Sequence, residues 1–314
     1  MRRIESEDLL RVTRVFLGAV VLVSLTACAS FEFTKAAPKQ TQAVTVKASG
    51  EELSGWSDLP LGVYRVPGSH VVITGHQKAQ VAGLLFGVLG VAIAHAANAS
   101  VGAAAVQDVE SMLRIKLDAP LNQALAQVTA APEFSKHVTR AEVKGNSQML
   151  LTPALVLSFV NDSDVRPYVL LRASMQATGG QPAWATRYIA STGQARPMAG
   201  PGGWLDGDGG ALRSAVDTNM RLAVRAMAAD LAQPAVRDDN AMTTLQGHFP
   251  FMKPRFQAVG YRLTEDDNYL TFVPRLGDVM VFAGVNVFEK SAIKFRPAVK
   301  DDPVLKIIET PVEK

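Results

Sequence analysis

Between Met149 and Ala190 the chain carries three strand-length apolar runs separated by two short turns. The first closes on ALVLSFV and reaches Val160. Asn161-Asp162-Ser163-Asp164 reads as a turn, and Val165 to Ala177 returns as VRPYVLLRASMQA. Gly179-Gly180 turns again before a third run, Ala183 to Ala190, which holds Trp184 and Tyr188. Branched and aromatic residues bounded by Asn, Asp, Ser and Gly favour strands, and turns this short join antiparallel neighbours. An antiparallel meander is therefore expected at the centre of the chain.

The flanking segments fit around it. After a punctuated loop over 193–210, ending WLDGDGG, a helix is expected from Asp208 or Gly209 to about Leu231. Leu212, Ala215, Val216, Ala223, Met227 and Leu231 form its apolar stripe. Arg213, Asp217, Arg221, Arg225 and Asp230 mark the wetter side, and Pro234 ends it. Further strands are expected over 256–264, 269–274 and 278–288, with LKIIE as a last one; Asp266-Asp267-Asn268 and Leu276-Gly277 supply turns. Ahead of the meander, YRVPGSHVVITGH reads as a hairpin, 63–66 with 70–75, around Pro67-Gly68. The alternation in LRIKLD predicts a strand over 112–118, and Pro120 suits the start of a helix to about Ala130. These patterns define an α+β fold, an antiparallel β meander with segregated helices, rather than a doubly wound parallel sheet.

Cys28 is the only cysteine and closes the tetrapeptide Leu25-Thr26-Ala27-Cys28. Before it run the uncharged, mostly apolar residues 15–27 and a weakly basic start, with Arg2, Arg3, Arg11 and Arg14 against Glu5, Glu7 and Asp8. The apolar run is short for a membrane span, which needs about 20 residues, but suits the core of a secretory signal. The pattern resembles the signal peptide and lipobox of a bacterial lipoprotein. That resemblance implies removal of residues 1–27 and acylation of the Cys28 thiol, with chains such as palmitate. It also implies a place in the cell envelope, and the residues after Cys28, Ala29 and Ser30 rather than Asp, resemble the outer-membrane sorting case. Each buried CH₂ contributes roughly 0.8 kcal/mol, so two or three chains anchor almost permanently. Membrane lipid, through acylated Cys28, is the first implied partner, and an envelope protein is the second.

With Cys28 acylated the mature chain has no thiol for a disulfide, a metal site or a nucleophile. Charge excludes another class. Lys and Arg number 32 against 29 Asp and Glu over the whole chain, with no long basic block, so nucleic acid is not indicated as a partner. Four regions are expected: signal peptide 1–27, an extended tether 28–60, an N-terminal subregion 61–135, and an α+β body 136–314. Residues 79–107 lack any Asp, Glu, Lys or Arg, and Gly83 and Gly87 have the spacing that lets helices approach closely. A helix or helical hairpin buried in the body is the favoured reading; a membrane-associated segment and a glycine-rich loop are the alternatives.

No reaction is named by the sequence. Asp206 and Asp208 lack the third oxygen ligand of a calcium loop, where Gly210 stands, and read as a turn with a helix cap. Trp204 beside them reads as a core position. His70, His76, His95, His137 and His248 form no compact ligand set, although His70 and His76 could approach across a hairpin end. No nucleophile elbow, phosphate loop or dinucleotide fingerprint is present. The expectation is a non-enzymatic interaction or assembly role, with no catalytic, cofactor or metal residues. A lipid or transport auxiliary and a cryptic hydrolase are the alternatives.

Overall fold

The computed structural model describes residues 32–49, 53, 59–60, 62–75, 91–176, 183–276 and 282–308, with residue 32 and residues 91–98 as backbone only. Its strands are β1 (Val44–Ala48), β2 (Tyr64–Arg65), β3 (Val71–Thr74), β4 (Val138–Thr139), β5 (Gln148–Phe159), β6 (Asp164–Met175) and β7 (Trp184–Ser191). Seven follow: β8 (Arg196–Pro197), β9 (Thr243–His248), β10 (Arg255–Glu265), β11 (Tyr269–Pro274), β12 (Val285–Glu289), β13 (Lys294–Pro297) and β14 (Leu305–Ile308). The helices are α1 (Val91–Val106), α2 (Asp118–Ala130) and α3 (Gly210–Ala232).

All the strands join one mixed, mostly antiparallel sheet, in the order β13-β9-β10-β11-β12-β7-β6-β5-β1-β4, with β2, β3, β8 and β14 attached beside this path. The expected meander is its centre. β5 pairs antiparallel with β6 from Met149–Met175 to Phe159–Val165, and β6 pairs antiparallel with β7. The Asn161 side chain closes the β5–β6 turn, accepting the N–H groups of Ser163 at 2.9 Å and Asp164 at 2.6 Å. The free edge of β5 takes two parallel strands end to end: β1 along residues 148–151 and β3 along 155–158.

This register defines two ends. Met175, Trp184 and Gln148 lie at one, here called proximal; Phe159 and Asp164 lie at the other, here called distal. The twelve residues of β6 span the distance between them, roughly 36 Å at the usual rise.

The meander is buried on both faces, which explains its near-continuous apolar runs. On one face Leu151, Leu155, Val169, Leu171 and Tyr188 meet the helices through Leu121, Leu125, Val216, Val224 and Met227. On the other, Ala154, Val156, Tyr168, Leu170 and Ile189 are covered by Leu53, Leu59, Val63 and Phe251. Phe251 belongs to the β9–β10 turn, so the C-terminal half of the sheet curls back over the second face. Lys253 of that turn pairs with Asp162 at the distal end. The curl encloses its own aromatic core, with Phe249, Phe256, Phe272, Phe282 and Phe288 packed together. The rings of Phe249 and Phe282 lie 4.7 Å apart, close enough to add to plain area burial.

The expected hairpin around Pro67-Gly68 is present, with Tyr64 opposite Ile73, and α3 and α2 lie where their patterns place them. Three expectations are corrected. Residues 112–118 are not a strand: 107–113 form a 3-10 helix, and the residues after it meet His70 through the Ile115 carbonyl, which accepts the His70 N–H, and the Leu117 N–H, which donates to His70 Nδ1. The tether over 28–60 fails for residues 44–48, because β1 is a buried strand with Val44 and Val46 in the main core. Asp230, placed on the wet side of α3, is buried. Strands on both sides of residue 136 also share the sheet, as β1 pairs with β4 and β5. Of the apolar 79–107 segment, residues 79–90 fall outside the described residues. The end of α1 is partly packed, with Val106 in the main core and Val101 exposed. Among the described residues no helix is long and apolar enough to cross a membrane.

Candidate functional site

The feature that ties sequence to function lies at the proximal end, where the described chain begins. Residues 33–35 run beside the start of β7 as a strap, held by side chains of the body. The Thr186 hydroxyl donates to the Phe33 carbonyl at 2.7 Å, and Trp184 Nε1 donates to the Lys35 carbonyl at 3.3 Å. Arg237, just past α3, donates through Nε to the Thr34 carbonyl at 3.2 Å. The Arg187 guanidinium covers the Phe33 ring at 4.0 Å from its centroid. These bonds go mainly to main-chain carbonyls, which any residue supplies; this is why the side chains of 28–60 read as a tether. Each is worth about 1 kcal/mol net, and together they fix the first residues of the body against the sheet.

Beneath the strap lies a buried polar cluster. Tyr188 donates its hydroxyl to Asp230 Oδ2 at 3.1 Å, and Arg237 Nη1 lies 3.5 Å from Asp230 Oδ1. Burial pushes the Asp230 carboxyl above its ordinary value, against the downward pull of Arg237 and Tyr188. Burial, with the neighbouring carboxylate, pushes the Tyr188 hydroxyl well above its own. The long Arg237 contact does not offset the loss of water around Asp230. Arg237 also donates to the Ala235 carbonyl at 2.6 Å, so one guanidinium joins the strap, the end of α3 and the carboxylate.

A shallow groove of about 290 Å³ runs between α2 and α3. Phe134 forms part of its wall beneath the Arg225 guanidinium, 5.9 Å from the ring centroid, and Arg221 and Glu133 line its mouth. Its lining is mainly apolar, with Arg221 and Arg225 against one carboxylate, Glu133.

The residues singled out from the sequence have structural partners. Trp204 is buried and donates to the Val165 carbonyl at 2.6 Å. Asp206 accepts the Gly202 N–H at 2.7 Å, closing the expected turn. The cap, however, is not made by Asp208: Gly209 occupies the position before α3, with no side-chain bond to the first turn. His70 Nδ1 accepts the Leu117 N–H at 3.1 Å. His248, at the end of β9, is held down to about 4 by burial, with Arg166 and Arg255 adding to it. His76 and Cys28 lie outside the described residues, as does the side chain of His95. Among the described residues no three His, Cys, Asp or Glu side chains converge to hold a metal ion.

Comparison with protein families, with characterised proteins and with solved structures gives no match to this chain. The class of the molecule is that of its architecture, an α+β protein built on one curled, mixed sheet.

Proposed function

We propose that this chain is a lipid-anchored lipoprotein of the cell envelope, acylated at Cys28 and facing the periplasm from the outer membrane. The observation that carries the reading is the tetrapeptide Leu25-Thr26-Ala27-Cys28 after a short apolar run and a basic start. A thiolate is the soft nucleophile that lipid transfer requires, and the small residues before it suit a signal peptidase. The role of the chain is non-enzymatic: the body presents a surface to an envelope protein, and the α2–α3 groove fits an acidic segment of that partner.

Mass spectrometry of the detergent-extracted protein tests the anchor. The expected product is an acylated peptide beginning at Cys28. Cys28→Ser should block lipid addition and leave an uncleaved precursor in the inner membrane. An unmodified Cys28, or a mature N-terminus elsewhere, overturns the proposal.

A further inference from the structure

Five steps of chain separate Cys28 from Phe33, a reach of at most about 17 Å. Thirty-two residues of free tether would instead allow the body to stand off by many tens of ångströms. The strap removes that freedom, because Phe33, Thr34 and Lys35 are bonded to Thr186, Arg237 and Trp184. Acyl chains on Cys28 would therefore keep the proximal end within that reach of the lipid surface.

The surface chemistry of that end is suited to such a contact. Val236 follows the end of α3 and adjoins Arg237; its side chain is 83% exposed. Val143, in the loop leading to β5, is 51% exposed. Lys35, Lys39, Lys136 and Lys144 are all exposed around them. Two carboxylates near this end face cations of the protein, Glu142 with Lys47 and Asp239 with Arg275 at 3.5 Å, and Glu133 and Asp238 are exposed. Lysines with long apolar stems, interspersed with exposed valines, match the interfacial region of an anionic bilayer.

We propose that the proximal end of the sheet, around Lys35, Lys39, Lys136, Lys144, Val143 and Val236, docks on an anionic phospholipid surface. This inference rests on acylation at Cys28 for its geometry. Docking leaves the distal end, with the 161–164 turn, facing away from the membrane.

The test uses the lipidated, full-length protein in vesicles. Acylation leaves the mature chain without a free thiol, so a single cysteine can carry an environment-sensitive fluorophore. Val236→Cys samples the proposed contact, and Ser163→Cys, in the distal turn before β6, is the control. In vesicles containing phosphatidylglycerol, the fluorophore at 236 should shift to the blue and be quenched by lipid-borne quenchers, while that at 163 should not. Lys35→Glu and Lys144→Glu should lower the ratio of docked to undocked protein by roughly 5-fold or more per lysine. High salt and vesicles of phosphatidylcholine alone should weaken docking in the same direction. Equal quenching at both positions, or none at either, overturns the proposal in protein whose Cys28 peptide is acylated. If that peptide proves unmodified, the anchor fails separately, and the labelling is repeated with Cys28→Ser so that position 236 alone carries the dye. Anionic vesicles that then still quench position 236 support the surface, and vesicles that leave it unquenched overturn it as well.

Discussion

The two ends of the sheet are held by different physics. At the proximal end, side chains of Trp184, Thr186 and Arg237 reach main-chain carbonyls of the strap, over a buried Asp230–Tyr188 hydrogen bond. At the distal end, close approach dominates. Gly75, at φ +83°, passes so near Phe159 that an added Cβ would lie 2.6 Å from the Phe159 nitrogen. The proximal end is therefore sensitive to lost hydrogen bonds and the distal end to added atoms. The ends also titrate in opposite senses, because burial suppresses an anion at one and a cation at the other.

The largest effect should come from adding one carbon at the distal end. Gly75→Ala places a side chain in the left-handed region and against backbone that has no room to move. Strain and overpacking together should cost roughly 2–5 kcal/mol, read as a lower urea midpoint. A loss well under 1 kcal/mol would show that the β3–β5 junction yields.

Next is the acid response of the same end. His248 is neutral in the native protein down to about 4, whereas the unfolded chain protonates near its ordinary value of about 6.5. Its contribution is complete above the higher value and is lost as pH falls through this window, by up to about 3 kcal/mol. His248→Gln should flatten the dependence of unfolding free energy on pH between those limits. An unchanged slope would remove His248 as its source.

Asp230 works in the other direction. Its native carboxyl titrates above the unfolded one, so the unfolded chain ionises first and native stability falls as pH rises through the native value. Asp230→Asn keeps an acceptor for Tyr188 and should change stability at neutral pH by no more than about 1 kcal/mol, with its standing relative to the natural chain improving from acid to neutral pH. A loss of several kcal/mol would mean that the Arg237 pair outweighs burial. The smallest effect belongs to Thr186→Val, which removes the bond to the Phe33 carbonyl. About 1 kcal/mol should appear as faster proteolysis near residues 33–39, with the global transition little changed.

The meander that joins the two ends was legible in the sequence, and the contacts that distinguish them were not. The meander and α3 announce themselves through local periodicity and through turn residues such as Asn161. β1 is short and polar-flanked, and its burial depends on β4 and β5, distant in sequence. The alternation over 112–118 was genuine, but the adjoining edge of β5 is taken by β3, and Ile115 is left with one bond to His70. Asp230 sits on a helix whose own pattern cannot reveal that Tyr188 and Arg237 meet it. The strap escaped for the reason already visible in its bonds: carbonyl oxygens have no sequence signature. Cys28, conversely, was readable only as sequence.

With Cys28 acylated as proposed, the body sits directly on the membrane, strapped at its proximal end. Neutron reflectometry of the lipidated protein on a supported anionic bilayer measures this stand-off. Protein density should begin within about 17 Å of the headgroups, and a water-filled gap should open only when a flexible Gly-Ser insert is placed after Ser30. A wide hydrated gap beneath the unaltered protein would contradict it.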